Sequence, residues 1–419
     1  MKRKPENKVG VLSLGCPRNL VDSENILGRL ASKGYRIVDM DKADTAILNT
    51  CAFIEDAKIE SIDAILDLID LKKKGKLKKI IVYGCLSQRY KEELRAEFPE
   101  VDAFVGKVSL NHSLTDYHLT PRHYAYLKIC EGCVNDCSFC VIPKIKGGLV
   151  SLKEDSALRK IEGFNKNKVS EVNIVGQDIT GYGLDLGPGT RLPGFLKKII
   201  SAAPGIGWIR LLYLYPNRVS DELLGIIRDE PRVCKYIDLP LQHINNRILG
   251  LMNRHMKKND ILKLIDNVRK KIPGVAIRTS LIVGFPSETD KEFSELMDFI
   301  DEVKFERMGA FIYSREEGTR AYDLGGQLPD GIKRERFNAL MLRQQELSEQ
   351  VNKGLLGKEI KVLIEEKGRD HYLGRSQYDA PEVDGIVYVN SARKLKAGEF
   401  VRVLITDTLE YDLVGEELQ

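Results

Sequence analysis

The chain has 419 residues, enough for two or three domains with cores of their own, and Lys plus Arg number 65 against 61 Asp plus Glu, so the net charge of +4 neither demands nor excludes nucleic acid. The polar start Met1-Lys2-Arg3-Lys4-Pro5 has no signal-peptide core and no apolar run approaches about 18 residues, so the chain is expected in the cytoplasm with no membrane partner. Its eight cysteines then read as thiolates for metal or redox work rather than as disulfides.

From residue 8 the pattern alternates short apolar runs with helical stretches: 9–14 then 21–33, 45–48 then 56–74, 79–83 then 88–97. This predicts an α/β domain with a mostly parallel sheet over residues 7–122. Three of its strands run into a cysteine: Cys16, Cys51 and Cys85. Parallel strands deliver their carboxyl ends to one edge, where ligands of such sheets gather, so the three thiols are expected to meet there and bind metal. Gly15 and Gly84 beside them suit close backbone approach to a bulky inorganic group. Three thiolates also suit zinc with one open position, and that alternative stays open on position alone.

A polar and aromatic stretch, 111–123, bridges to a second unit over residues 123–350. There Cys133, Cys137 and Cys140 have the spacing to hold three corners of an iron–sulfur cube, leaving the fourth iron free to bind a small molecule. Cys130 makes a second Cys-x-x-Cys with Cys133, but a zinc ribbon separates its pairs by roughly 15 to 20 residues. Cys130 ends an apolar strand and reads as a core residue; Cys234 reads likewise. Strands near 171–175, 208–213, 235–239, 275–283 and 307–312 alternate with helices near 155–165, 193–203, 221–228, 258–271 and 288–303. About six βα units predict a full or partial barrel, with catalysis on the loops after the strands, and the second cysteine trio follows the first strand.

Residues 333–353 read as a polar connector helix. From 354 the chain changes to short strands at 360–364, 385–389 and 400–405, which predicts a small antiparallel barrel of OB-like type over 351–419. Residues 354–419 carry nine basic against thirteen acidic residues, which disfavours phosphate and suits a basic protein partner. The run Arg393-Lys394-Leu395-Lys396 keeps direct RNA contact open without favouring it.

Taken together, Cys133-x3-Cys137-x2-Cys140 with Ile142-Pro143-Lys144-Ile145-Lys146-Gly147, the leading cysteine domain and a terminal TRAM-like barrel resemble the radical S-adenosylmethionine methylthiotransferases over essentially the whole chain. Asp238-Leu239-Pro240-Leu241-Gln242-His243, Met252-Asn253-Arg254 and Tyr313-Ser314-Arg315-Glu316-Glu317-Gly318-Thr319 extend the resemblance. Ser13-Leu14-Gly15-Cys16-Pro17-Arg18-Asn19-Leu20-Val21-Asp22-Ser23-Glu24 and Gln177-Asp178 are similar to the RimO-type branch, whose substrate is a ribosomal protein. The tRNA-modifying MiaB type usually has Gln and Met where this chain has Pro17 and Arg18. One departure is Lys146, where many relatives carry Arg.

The resemblance implies two 4Fe–4S clusters, on Cys133, Cys137, Cys140 and on Cys16, Cys51, Cys85, with S-adenosylmethionine at the open iron of the first and the sulfur to be transferred on the second. It implies methylthio transfer to the β-carbon of an aspartate in ribosomal protein uS12, free or in the small subunit, aided by a reducing electron donor and a sulfur donor. The chemistry is borne by the clusters, so no side chain is singled out as catalytic; Gln177, Asp178, His243 and Arg278 are candidate contacts to S-adenosylmethionine. Methylthio transfer to a tRNA adenosine, and a non-catalytic iron–sulfur or zinc carrier, are the alternatives.

Overall fold

The computed structural model describes residues 8–107, 110 and 117–418. The first part of the predicted bridge, 111–116, lies outside them, as does residue 7. The leading unit comprises β1 (Lys8–Ser13), α1 (Pro17–Ser32), β2 (Arg36–Ile37), β3 (Thr45–Thr50), α2 (Glu55–Lys73), β4 (Lys79–Gly84), α3 (Cys85–Arg89), α4 (Lys91–Glu97) and β5 (Ala103–Val105). Its sheet is wholly parallel in the order β2-β1-β3-β4-β5. β3 is buried on both faces except at its first residue, which explains the unbroken apolar run of its sequence. α1 begins four residues before its predicted start because Pro17 supplies a preset φ at a position whose missing N–H costs nothing. The single helix predicted over 88–97 is two helices, broken at Tyr90 (φ −132°, ψ 39°).

The central unit contains β6 (Tyr124–Lys128), β7 (Cys130–Glu131), α5 (Ile142–Lys146), β8 (Val150–Ser151), α6 (Glu154–Lys166), β9 (Glu171–Val175), α7 (Leu192–Ala202), β10 (Trp208–Leu211), α8 (Asp221–Asp229), β11 (Tyr236–Gln242), α9 (Asn246–Leu251), α10 (Lys258–Lys271), β12 (Ala276–Val283), α11 (Asp290–Val303), β13 (Arg307–Ile312) and α12 (Asp330–Lys353). Parallel sheets β6-β9-β10 and β11-β12-β13 meet at a looser seam, where Ile209 bridges Val233 and the Leu214 amide donates to the Asp238 carbonyl at 3.0 Å. These six strands make a partial barrel. Strand alternation divides its residues: Leu127, Ile174, Ile209, Ile237 and Ile277 point outward into one core with Phe164, Phe195, Leu224 and Phe299 of the surrounding helices. The opposite set, Lys128, Asn173, Arg210, Asp238 and Arg278, faces the interior, which is polar.

The last unit is a closed five-stranded barrel of β14 (Glu359–Lys367), β15 (Tyr372–Ser376), β16 (Val387–Asn390), β17 (Phe400–Thr408) and β18 (Leu413–Glu417). Its pairs are antiparallel apart from β16 with β18, which closes the barrel in parallel. It covers the amino ends of the central strands: Tyr124 donates to Glu382 at 2.8 Å, Tyr236 to Asp384 at 2.7 Å, and Arg307 pairs with Asp379 at 2.6 Å. The carboxyl ends are thereby left to face the leading domain. Among the described residues no helix is long and apolar enough to cross a membrane.

Candidate active site

Both cysteine trios lie at carboxyl ends of parallel strands, on the two sides of the junction between the first and second units. Cys16 follows β1 as the N-cap of α1, Cys51 follows β3, and Cys85 follows β4 as the first residue of α3. β1, β3 and β4 are neighbours in the sheet, so the three thiols share one edge. Asn19 binds the strand ends together, donating to the carbonyls of Leu14 and Thr50, each at 3.1 Å. Gly15 has φ +83°, and a Cβ there would stand 3.1 Å from the Cys51 sulfur, so only glycine leaves the edge open.

The second trio sits on the loop after β6 and β7. Gly132, with φ +74°, turns the chain so tightly that a Cβ would fall 2.1 Å from the Gly148 carbonyl oxygen. The loop is then pinned to the far side of the barrel: the Ser138 amide donates to Met252 at 2.9 Å, its hydroxyl to Leu251 at 2.6 Å, and the Ala321 amide to Ser138 at 2.8 Å. Asn135 donates to the Cys133 sulfur through its side chain at 3.2 Å and its amide at 3.4 Å. Arg254 donates to the Cys137 sulfur at 3.5 Å and to the Pro240 carbonyl at 2.5 Å, with its guanidinium 4.2 Å over the Tyr215 ring.

Burial opposes ionisation of Cys16, yet the charge and hydrogen bond of Arg18 (Nε to sulfur, 3.3 Å) outweigh it and hold this thiol below its ordinary value. Burial raises Cys51 and Cys133, and raises Cys85 and Cys140 to about 12 each. Deprotonation of such thiols needs a cation, which a metal supplies. The donor set, three soft sulfurs per site at an edge kept open by glycine, fits an iron–sulfur group. Among the described residues no three Cys, His, Asp or Glu side chains close on a single ion.

Two buried charge clusters lock the two edges together. Asp22 of α1 is bonded to Lys128 of β6 and lies 3.4 Å from Lys146 of α5; Glu131 takes Lys146 at 2.7 Å and Lys128 at 3.1 Å. All four side chains are at most 6% exposed. On the other flank Arg89 pairs with Glu316 at 2.6 Å and donates to the Ala52 carbonyl at 3.1 Å, while Lys58 reaches Glu316 at 3.2 Å.

The four expected cofactor contacts divide. Gln177 follows β9 beside the second trio, and its Oε1 is buried with no hydrogen-bond partner among the described residues. Asp178 accepts from the Thr180 amide at 3.0 Å, from Asn135 at 2.9 Å and from Arg218, so its oxygens are committed to orienting the cysteine loop. Arg278 lies in the interior near the amino end of β12, 3.2 Å from Asp238 and 3.4 Å from Asp384 of the last barrel. His243 is fully buried with Glu292, Glu295, Arg247 and Arg336 around it, facing α11 and α12. Cys130 is fully buried, its sulfur 3.5 Å from the Asp178 carbonyl, and Cys234 is buried with Tyr236 and Trp208. Sequence reading named neither Arg18, Asn135 nor Arg254 as a neighbour of the thiols; Arg18 and Asn135 each lie two residues from a ligand-type cysteine, and Arg254 stood out only within the run Met252-Asn253-Arg254.

Residues 8–106 match an uncharacterised protein family designated UPF0004, residues 127–300 the radical SAM superfamily, and residues 356–417 the TRAM domain. The chain is 45% identical to the ribosomal protein uS12 methylthiotransferase RimO of Clostridioides difficile (strain 630), covering 98% of this chain and 99% of that protein. It is 46% identical to the protein of the same name from Thermoanaerobacter sp. (strain X514), over 97% and 99%. In fold it is similar to the radical S-adenosylmethionine methyltransferase TsrM from Kitasatospora setae, solved with cobalamin and a [4Fe-4S] cluster (TM-score 0.54, 11% identity, 90% of this chain and 82% of that one).

Proposed function

The chain belongs to the RimO family of methylthiotransferases, enzymes of ribosomal protein uS12, and from that premise we propose which of its residues hold the cofactors and how they share the work. It is a radical S-adenosylmethionine enzyme that transfers a methylthio group to uS12, with S-adenosylmethionine and 4Fe–4S clusters as cofactors. In our reading Cys133, Cys137 and Cys140 hold the cluster at whose open iron S-adenosylmethionine binds, Cys16, Cys51 and Cys85 hold the second, and Gln177 contacts the adenosylmethionine. The units run over 7–122, 123–350 and 351–419. The acceptor is the β-carbon of an aspartate, the reaction draws on a reducing electron donor and a sulfur donor, and it takes place in the cytoplasm, with direct RNA contact left open but not favoured.

When bound, the cofactors supply an adenosyl radical strong enough to remove an unactivated aliphatic hydrogen, and the sulfur that replaces it. The protein's part is placement. Asn135 and Arg254 donate to two of the three barrel thiolates, and Asp178 with Arg218 fixes Asn135. Glu131, Lys146, Asp22 and Lys128 on one flank, and Arg89 with Glu316 on the other, keep the sulfur-bearing edge at a constant distance from the radical-forming edge. The observation that carries the reading is this opposition of two three-thiol edges across one junction clasped by buried charge.

Anaerobic reconstitution is expected to give about eight irons per chain. Cys133→Ala should lose about half of them and all 5′-deoxyadenosine release. Cys51→Ala should lose a similar share yet keep deoxyadenosine release while ending methylthio transfer to uS12, read by mass spectrometry. Equal loss of both activities in the two variants, or a modified tRNA beside untouched uS12, would overturn the assignment.

A further inference from the structure

Arg18 connects the two edges through one side chain. Its Nε donates to the Cys16 sulfur at 3.3 Å, its Nη1 donates to the Gly176 carbonyl at 3.3 Å, and its guanidinium lies 4.6 Å over the Tyr213 ring. Gly176 opens the turn that carries Gln177, and Tyr213 is held at φ +63°, an uncommon conformation for a bulky residue, with its amide donating to Asp238 at 2.9 Å. The charge facing this guanidinium is that of Cys16, Cys85 and Tyr213; among the described residues no carboxylate pairs with it. A cation kept half-buried without an acid is costly unless the group beside it becomes anionic.

We propose that Arg18 is a positioning residue that fixes the Cys16 corner of the leading cluster against the Gly176 turn of the barrel and makes that cluster easier to reduce. The proposal rests on the reading that Cys16, Cys51 and Cys85 hold a cluster. Reduction adds negative charge to the cluster, and a guanidinium donating to one of its sulfurs stabilises the reduced form more than the oxidised one. The planar fork directs two donors at once to a sulfur and a carbonyl on different domains; lysine, a point charge, keeps the electrostatic effect and forfeits the second hold. Arg254, on the Cys137 sulfur, is the matching contact at the other trio and an internal control.

The test is a redox titration of the reconstituted full chain followed by electron paramagnetic resonance, with iron content and the ratio of methylthio product to deoxyadenosine measured on the same samples. Arg18→Gln should keep full iron and shift one of the two cluster signals negative by roughly tenfold in the reduction equilibrium, about 59 mV for one electron. Arg254→Gln should shift the other signal. Arg18→Lys should keep the wild-type potential while the product ratio falls several-fold. Unchanged potentials in iron-replete Arg18→Gln, or a shift of both signals together, would overturn the proposal. If Arg18→Gln fails to load iron, Arg18→Lys decides: a wild-type product ratio refutes the positioning role. Full iron in Cys51→Ala would instead sink the cluster assignment itself, independently of Arg18.

Discussion

His243 sits at the turn after β11 with its Nδ1 accepting from the Asn245 amide at 3.0 Å and its Nε2 buried without a partner among the described residues. Burial, opposed by Glu292 and Glu295 and aided by Arg336 and Arg247, lowers its pKa to about 4 from the ordinary 6.5. The sign follows: as pH falls below about 6.5 the unfolded chain takes up this proton and the folded one does not, so stability is lost until about pH 4. At pH 5 the loss is about 2 kcal/mol. Denaturant titrations at pH 7.5 and 5 should show it, and His243→Leu, whatever it costs at neutral pH, should remove this step; an equal pH dependence in the variant would show that other groups carry it. The cysteines were legible one by one because each closes a strand or belongs to a tight spacing. Arg254 was not, since its partner Cys137 is 117 residues away and only the folded barrel brings them together.

At the scale of elements, α1, β6, β7 and α5 are joined by the buried group Asp22, Lys128, Glu131 and Lys146. Two acids and two bases balance, so removing one leaves a buried charge unmatched, a loss of about 3–5 kcal/mol by comparison with other buried pairs. Lys146→Met is therefore expected to lower the unfolding free energy by that order, and adding Asp22→Asn, which restores neutrality around Lys128 and Glu131, to recover most of it. A double-mutant cycle measures the coupling, and simple additivity would show that the four do not act as a unit. The same elements show what pattern reading catches. Strands and helices with a continuous apolar face, such as β3 and α10, were placed by their sequence. β15 and β18 were not: Arg375 and Ser376 of β15 are buried in polar contacts, and β18 ends in Gly415-Glu416-Glu417. Buried polar residues erase the alternation by which a strand is recognised.

On the scale of the whole molecule, the charge count of the last barrel misstates its surface. Asp379 and Asp384 turn inward to Arg307 and Arg278, and Glu365 meets Arg375 at 2.8 Å and His123 at 3.3 Å, so part of the acidic excess that points to a basic partner is neutralised within the chain. The hub of this contact is Glu171, fully buried, which takes Arg210 at 2.8 Å and Arg375 at 2.6 Å. Burial alone would raise its pKa; the two guanidiniums reverse this and keep it ionised. Arg210 also donates to the Gln377 carbonyl at 2.7 Å, and Trp208 packs edge-on against Phe400 at 4.8 Å, so the floor of the central barrel is finished by the last domain. Glu171→Gln would leave Arg375 to Glu365 alone and deprive Arg210 of its carboxylate out of water, at a cost of about 3–5 kcal/mol. Because the site is shut off from solvent, added salt should not rescue it. The loss is expected in a single unfolding transition that carries the Trp208 fluorescence and the far-ultraviolet signal of both units together. Separate transitions, with the central one insensitive to Glu171→Gln, would mean that the last barrel is an appended module and not the floor on which the polar interior of the barrel depends.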